Sequence, residues 1–356
     1  MLYLAVDQHS KQLTVNVRGE SGQVLLRKQV ATKGDATRAF LAALAQRAGD
    51  GGYAAIVEVC GFNDWLLDLL PRHGCREIVL IQPGKPGKRK TDRRDANQLG
   101  ELLWLNRGRL AAGERVQGLR RVAVPTETER EQRRLAALRQ RIGRERTRLL
   151  NKIQTLLRRS NLQHDCPTKT IQTKRARVWL ERLALPPLDR FELDQLLARW
   201  RQLEQDRLET ERVIEARVAA SPEARLLLSV PGAGPYSALA LVAHVGDVSR
   251  FARPRSLANY WGLTPTCHNS GEKTQRLGSI SKEGAALPRF ILGQLVLHVL
   301  KRDGKLRAWY LGLRKRRGSK IGRVAVMRRL CTIVWHMLRH REPYTYGGVK
   351  RESQPA

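Results

Sequence analysis

Lys88-Arg89-Lys90-Thr91-Asp92-Arg93-Arg94-Asp95-Ala96-Asn97-Gln98-Leu99-Gly100-Glu101-Leu102-Leu103 is the stretch on which the fold turns. It reads as a helix entered from a basic loop, with Thr91 as its N-cap. Asp92 and Asp95 are separated by two residues, so on a helix they project from one face. Carboxylates that close repel unless a cation lies between them, and an all-oxygen donor set suits Mg²⁺ or Mn²⁺ better than zinc. Acids in a first helical turn also complement the helix dipole without any metal. Acids elsewhere in the chain must decide between the two readings.

Upstream, Leu2 to Val6 is an apolar run ending at Asp7, as expected of a buried strand that delivers an acid at its end. Leu13 to Val17 alternates, Gly19 to Gly22 turns, and Val24 to Val30 alternates back, which predicts a hairpin. Asp35 to Arg47 is amphipathic, Tyr53 to Val59 is a second buried strand interrupted by Glu58, Asn63 to His73 is helical and Ile78 to Ile81 is a short strand. Three successive strands followed by helix–strand alternation give an RNase H-like mixed sheet with helices on its faces. In that order Asp7 lies on the central strand and Glu58 ends its neighbour, and the helix with Asp92 and Asp95 packs across both. A Glu within an apolar strand is costly to bury without a partner. Four acids from three elements then meet as a two-cation phosphodiester site requires.

Asp7, Glu58 and the Asp92-x-x-Asp95 pair resemble the DEDD signature of RuvC-like nucleases. Glu58-Val59-Cys60-Gly61-Phe62-Asn63-Asp64 and Lys90-Thr91-Asp92-Arg93-Arg94-Asp95-Ala96 resemble more specifically the DEDD insertion-sequence transposases, the bridge-RNA-guided serine recombinases. The resemblance implies a RuvC-like N-terminal domain, Mg²⁺ (or Mn²⁺) held by Asp7, Glu58, Asp92 and Asp95, and DNA and a structured guide RNA as partners.

Composition agrees with a polyanionic partner. The 356-residue chain carries a formal charge of +33, which favours nucleic acid. No run of about 18 apolar residues is present, so no membrane association is expected. Five cysteines (Cys60, Cys75, Cys166, Cys267, Cys331) are scattered without C-x-x-C spacing. They point to reduced thiols and a cytoplasmic, nucleoid-associated protein, and away from zinc.

From Glu127 to Arg159 the chain is helical and charge-rich, with a seam of Leu135, Leu138, Ile142, Leu149, Ile153 and Leu156 at coiled-coil spacing. Leu196, Trp200, Leu203, Arg207, Thr210 and Ile214 carry a weaker second seam. An intramolecular helical hairpin and a dimer-forming coiled coil both fit. The resemblance favours a homodimer or higher homo-oligomer.

Further on, Leu226 to Ala240 has a helix, the turn Gly232-Ala233-Gly234 and another helix. This is a helix-hairpin-helix pattern whose turn amides can hold a backbone phosphate without reading sequence. Tyr260 to Gly284 is polar and punctuated by glycine, which predicts a long loop or small hairpin. Serines there are ordinarily turn residues, and no Ser-His-Asp set surrounds Ser270. Gly262-Leu263-Thr264-Pro265, Ser270-Gly271 and Ser281-Lys282-Glu283-Gly284 resemble the same family's C-terminal motif, which implies Ser270 as nucleophile rather than Ser279 or Ser281. Pro288 to Lys301 reads as a helix, Arg314-Lys315-Arg316-Arg317-Gly318-Ser319-Lys320 as a basic loop, and Ile321 to His340 as a closing helix.

The expected architecture is therefore α/β plus α. A RuvC-like metal domain spans 1–110, a helical coiled-coil region 111–220, a mainly helical serine-bearing domain with the helix-hairpin-helix 221–342, and a flexible tail 343–356. Catalytic residues are Ser270, Asp7, Glu58, Asp92 and Asp95. Lys88, Arg89, Lys90, Gly232, Gly234, Lys282, Arg314, Lys315, Arg316 and Arg317 are the expected nucleic-acid contacts. The expected activity is DNA transposition. The rivals are a RuvC-like metal nuclease or junction resolvase that uses water, and a nucleic-acid-binding derivative that no longer cuts.

Overall fold

The apolar run after Met1 forms β1 (Leu2–Gln8), with β2 (Gln12–Arg18) and β3 (Val24–Ala31) completing an antiparallel meander. After α1 (Ala36–Ala48), β4 (Tyr53–Glu58) returns parallel to β1. Helix α2 (Asp64–Arg72) leads to β5 (Cys75–Ile81), parallel to β4 and begun earlier than Ile78. Helices α3 (Asp92–Leu105) and α4 (Arg107–Ala111) follow, and β6 (Arg121–Val122), which sequence periodicity does not reveal, pairs with β5. The result is a six-stranded mixed sheet of order β3-β2-β1-β4-β5-β6. The computed structural model describes residues 1–82, 92–114, 116, 119–268 and 276–347, without the side chains of residues 92–94, 267–268 and 276–277. The chain divides into two units, Met1–Pro125 and Thr126–Ala356.

Strand alternation sorts the first unit into layers. Leu4, Val6, Val15, Ala55 and Val57 meet Leu41 and Leu44 of α1 and Leu66, Leu67 and Leu70 of α2 on one face. Tyr3, Ala5, Ala54, Ile56, Val79 and Ile81 meet Leu99 and Leu103 of α3 and Leu110 of α4 on the other. The central strands are covered on both sides, which explains their unbroken apolar runs. Strand β3 is an edge and shows Arg27, Lys28 and Gln29 to solvent, a charged rim that discourages edge pairing.

In the second unit α5 (Glu127–Arg159) starts at a capping box between Thr126 and Glu129. Thr173 caps α6 (Lys174–Arg182), and Pro187 opens α7 (Pro187–Ala219) at a position that has no N–H to satisfy. Helices α5 and α7 pack antiparallel within the one chain. Arg139 pairs with Glu211 at 2.6 Å, Arg146 with Glu204, and Arg159 with Asp189 at 2.6 Å. Ile142, Leu149, Ile153 and Leu156 of the expected seam are buried, whereas Leu138 is exposed. The distal end holds its own core, in which Leu149, Ile153 and Leu157 meet Leu180, Leu193, Leu197 and Trp200.

The remainder is mainly helical: α8 (Pro222–Leu227), α9 (Pro235–Val245), α10 (Pro254–Tyr260), the antiparallel strands β7 (Pro265–His268) and β8 (Arg276–Ile280), α11 (Ala286–Arg302) and α12 (Gly304–His340). Their core gathers Leu227, Leu239, Trp261, Leu292, Val296, Val326, Leu330 and Val334. Two expectations are corrected. Arg314, Lys315, Arg316 and Arg317 are helical rather than a loop, since Arg and Lys are good helix formers; the break comes at Gly318, with φ 82°. The segment after Glu342 does not fray at once. Tyr344 Oη donates to Asp303 Oδ2 at 2.7 Å, and the Gly347 amide donates to the same oxygen at 2.8 Å.

Candidate active site and nucleic-acid interface

Asp7 follows Tyr3 and Ala5 at every second position of β1, and Glu58 follows Ala54 and Ile56 on β4. Both therefore belong to the face that α3 covers, and the parallel register Val6↔Val57 puts them side by side at the C-terminal ends of their strands. Helix α3 runs antiparallel to β1. Its Trp104 Nε1 donates to Glu20 O at 3.1 Å in the β2–β3 turn, beside the start of β1. Asn97 Oδ1 accepts from Asn16 Nδ2 at 2.6 Å, and Asn16 is paired with Ala5 halfway along that strand. The start of α3, with Asp92 and Asp95, is thus directed towards the Asp7 end of the sheet. Asp95 is half-buried, and the side chain of Asp92 lies outside the described residues.

Around the acids the polar chemistry is specific. Asp7 is 15% exposed and takes a hydrogen bond from His9 Nε2 at 3.1 Å. Thr14, its cross-strand partner, is buried, and its Oγ1 has no hydrogen-bond partner among the described residues. A hydroxyl left unsatisfied beside a carboxylate is destabilising unless something polar enters there. The donor set is all oxygen, which fits Mg²⁺ or Mn²⁺ and not zinc. Among the described residues no three His, Cys, Asp or Glu side chains are grouped closely enough to hold a metal ion by themselves.

Asn63 appears in the sequence only as the start of a helix and as a member of the Glu58–Asp64 motif, with no role of its own. It stands where an N-cap is expected for α2, yet its side chain makes no cap bond. Its Nδ2 instead donates to Glu58 O at 3.0 Å and to Gln8 Oε1 at 2.9 Å, while its Oδ1 accepts from the Cys60 amide. Gln8 completes the ring by donating from Nε2 to Phe62 O at 2.9 Å. Both side chains are buried. The chain leaving Glu58 is thereby tied to the residue after Asp7, so the ends of β1 and β4 are held in one register. The signal available in sequence was an Asn just ahead of a helix, five positions after a half-buried Glu that closes an apolar strand.

The C-terminal motif residues form the base of the β7–β8 hairpin. Lys282 N donates to Gly262 O at 3.1 Å and Ser281 N to Thr264 O at 2.9 Å. Gly262 and Gly284 have φ of 63° and 74°, and a Cβ on either would lie 2.3 and 2.2 Å from the backbone oxygens of Glu283 and Tyr260. Only glycine fits there, so these motif glycines are explained by backbone approach. Arg289 Nη1 seals the base by donating to Trp261 O and Glu283 O, each at 2.9 Å; its burial lowers the guanidinium's pKa from its ordinary value. Ser270, between the two strands in sequence, lies outside the described residues, as do Lys88, Arg89 and Lys90. Ser279 is on β8, and Ser281 Oγ accepts from the Glu283 amide at 3.4 Å.

At the other candidate phosphate contacts, Gly232 has φ 85°, and a Cβ there would meet His298 of α11 at 2.2 Å. That glycine is required by packing. Gly234 precedes α9 with open space beside it, leaving the helix start accessible. Arg314, Lys315, Arg316 and Arg317 are exposed along α12. Among the described residues no helix is long and apolar enough to cross a membrane.

Two family models match separate stretches of the chain. The family model described as Transposase IS116/IS110/IS902 family matches residues 224–311, and the DEDD transposase model of the IS110 group matches residues 4–161. The transposase for insertion sequence element IS1111A of Coxiella burnetii is 28% identical over 300 residues, spanning 82% of this chain and 79% of that protein. The transposase for insertion sequence element IS1328 of Yersinia enterocolitica is 27% identical over 218 residues, 60% of this chain and 64% of that protein. A pilin gene-inverting protein of Moraxella bovis is 30% identical over 125 residues, 34% of this chain and 38% of its own.

Proposed function

The chain belongs to the IS116/IS110/IS902 family of transposases, and on that premise we propose that it cuts and rejoins the DNA of a mobile element with an acid-held divalent cation and a serine nucleophile. Asp7, Glu58, Asp92 and Asp95 hold Mg²⁺, or Mn²⁺ in its place. When bound, the cation stabilises charge developing on the scissile phosphate. Ser270 Oγ attacks phosphorus. The Oγ–P bond forms, the bond from phosphorus to O3′ breaks, and the serine proton passes to the departing oxygen, which leaves as a hydroxyl. A phosphodiester link to serine conserves the bond, so the reverse step on another strand rejoins DNA without an external energy source.

Lys88, Arg89, Lys90, Lys282 and the Arg314–Arg317 run take backbone phosphates, together with the amides around Gly234. A structured noncoding RNA pairs with donor and target DNA to supply sequence choice, and the chains work as a homodimer or higher homo-oligomer. Residues 1–110 serve as the RuvC-like metal domain, 111–220 as the dimerising helical region and 221–342 as the serine-bearing domain.

The observation that carries the reading is the direction of β1, β4 and α3, which turns carboxylates from three elements towards one end of the sheet. A protein that only bound nucleic acid would gain nothing from negative charge facing phosphate. The test traps a cleavage reaction in denaturant and maps covalent DNA adducts by mass spectrometry. An adduct on Ser270 that is lost in Ser270→Ala, with folding and RNA binding retained, is expected. Cleavage by Ser270→Ala at the wild-type rate with no adduct assigns the attack to water and overturns the serine role. An adduct on Ser279 or Ser281 keeps the chemistry and refutes the residue.

A further inference from the structure

The loop that carries Glu58 into α2 has an inner side and an outer side. Inward, three of its backbone groups are pinned: Glu58 O and the Cys60 amide by Asn63, and Phe62 O by Gln8. Outward, its apolar side chains are left in solvent. Val59 is 39% exposed, Phe62 47% and Trp65 38%. Phe62 precedes Asn63, the N-cap position of α2, and Trp65 lies in the first turn, so the two aromatics are three positions apart at one helix end. A residue preceding an N-cap often folds onto the helix as a hydrophobic staple, but a side chain half in water is poorly used that way. Single exposed apolar residues are unremarkable; three within seven residues, on backbone held by buried amides and beside an acid of the candidate site, are a different matter.

We propose that Phe62 and Trp65 form a stacking platform for unpaired nucleobases of the DNA strand whose phosphate the acid set handles; the assignment rests on the nucleic-acid reading above. Bases offer a π-face of any sequence, and aromatic side chains held rigidly lose little entropy on stacking. Charge of both signs borders the platform: Asp64, the first residue of α2, lies between the two aromatics in sequence and Glu58 precedes them, while a lysine approaches from the neighbouring turn. The Gln8–Phe62 hydrogen bond brings the β1–β2 turn against this loop, and that turn carries His9 and the exposed Lys11. Across the whole chain the formal charge is +33. A phosphate drawn to Lys11 leaves its base free to lie on the aromatics, and strand cleavage is a step at which bases near the cut lose their partners.

The test measures binding of the full-length protein, in chelator and without divalent metal, to three labelled oligonucleotides. These are a single strand, a duplex of the same sequence, and an abasic strand of the same length. Phe62→Ala and Trp65→Ala are expected to weaken single-strand binding by about fivefold to a hundredfold each. Duplex and abasic binding stay within about twofold, and Phe62→Tyr and Trp65→Phe retain single-strand affinity. Duplex and abasic binding retained by the alanine variants shows that they remain folded, so a loss confined to the single strand cannot be read as misfolding. Equal losses on all three ligands, or unchanged single-strand binding, overturn the platform and leave the patch to a protein contact. No binding of any oligonucleotide by the unsubstituted protein overturns the nucleic-acid reading itself, which separates the two failures.

Discussion

Asn63 shows how much one buried carboxamide can organise. It gives two hydrogen bonds and accepts one, and its partners are the carbonyl of Glu58, the amide of Cys60 and the side chain of Gln8. Replacing it with alanine leaves buried donors and acceptors unmet, so Asn63→Ala is expected to destabilise the fold by about 2–4 kcal/mol in denaturant unfolding. It is also expected to weaken Mn²⁺ binding by roughly tenfold or more, as losses of supporting partners around ligands do. Calorimetric titration with Mn²⁺ reads the second effect independently of cleavage; unchanged Mn²⁺ affinity would remove the positioning role. The strand-end positions of Asp7 and Glu58 were legible in sequence because an acid closing an apolar run is conspicuous. Asn63, Gln8 and Thr14 were not, since their polar groups gain meaning only from partners distant in the chain: Gln8 and Asn63 lie 55 positions apart.

At the scale of elements, the meander β1–β3, the alternation that follows and the long helix α5 were all readable from periodicity. Helix α5 has the expected limits Glu127–Arg159 because Thr126 and Glu129 mark its start plainly. Two-residue β6 is too short to show any period, and the early residues of β5 are polar enough to hide. The pairing of α5 with α7 could not be chosen from heptads alone, since the same seam serves a partner within the chain or outside it. What fixes the pair in this chain includes charge. Glu204 sits between the helices; burial raises its pKa, but hydrogen bonds from Arg146, Trp200 and Arg207 outweigh this and bring it to about 2. A carboxylate depressed in the folded state stabilises it at pH above the ordinary 4.5 and loses that contribution as pH falls towards 2. Acid unfolding followed by circular dichroism should therefore show the wild type losing stability across that window and Glu204→Gln losing less. Equal pH slopes in the two proteins would contradict the assignment.

For the whole molecule the dominant quantity is charge. An excess of +33 implies that association with DNA or RNA is driven by counterion release. Affinity should fall log-linearly with salt, by about three orders of magnitude between roughly 50 and 200 mM for a footprint of several phosphates. A flat response in a filter-binding or anisotropy titration would mean that the arginines serve the fold instead. Such binding brings DNA to the protein but breaks no bond, and the account assigns bond breaking to the acids at the end of the β1–β4 pair. The most direct measurement is cleavage and strand transfer by Asp7→Asn, Glu58→Gln, Asp92→Asn and Asp95→Asn, each compared with the wild type across a Mg²⁺ titration, with nucleic-acid affinity measured alongside. The account predicts that each variant loses at least about a hundredfold in rate while affinity is retained. Full activity with unchanged Mg²⁺ dependence in Asp92→Asn would contradict it.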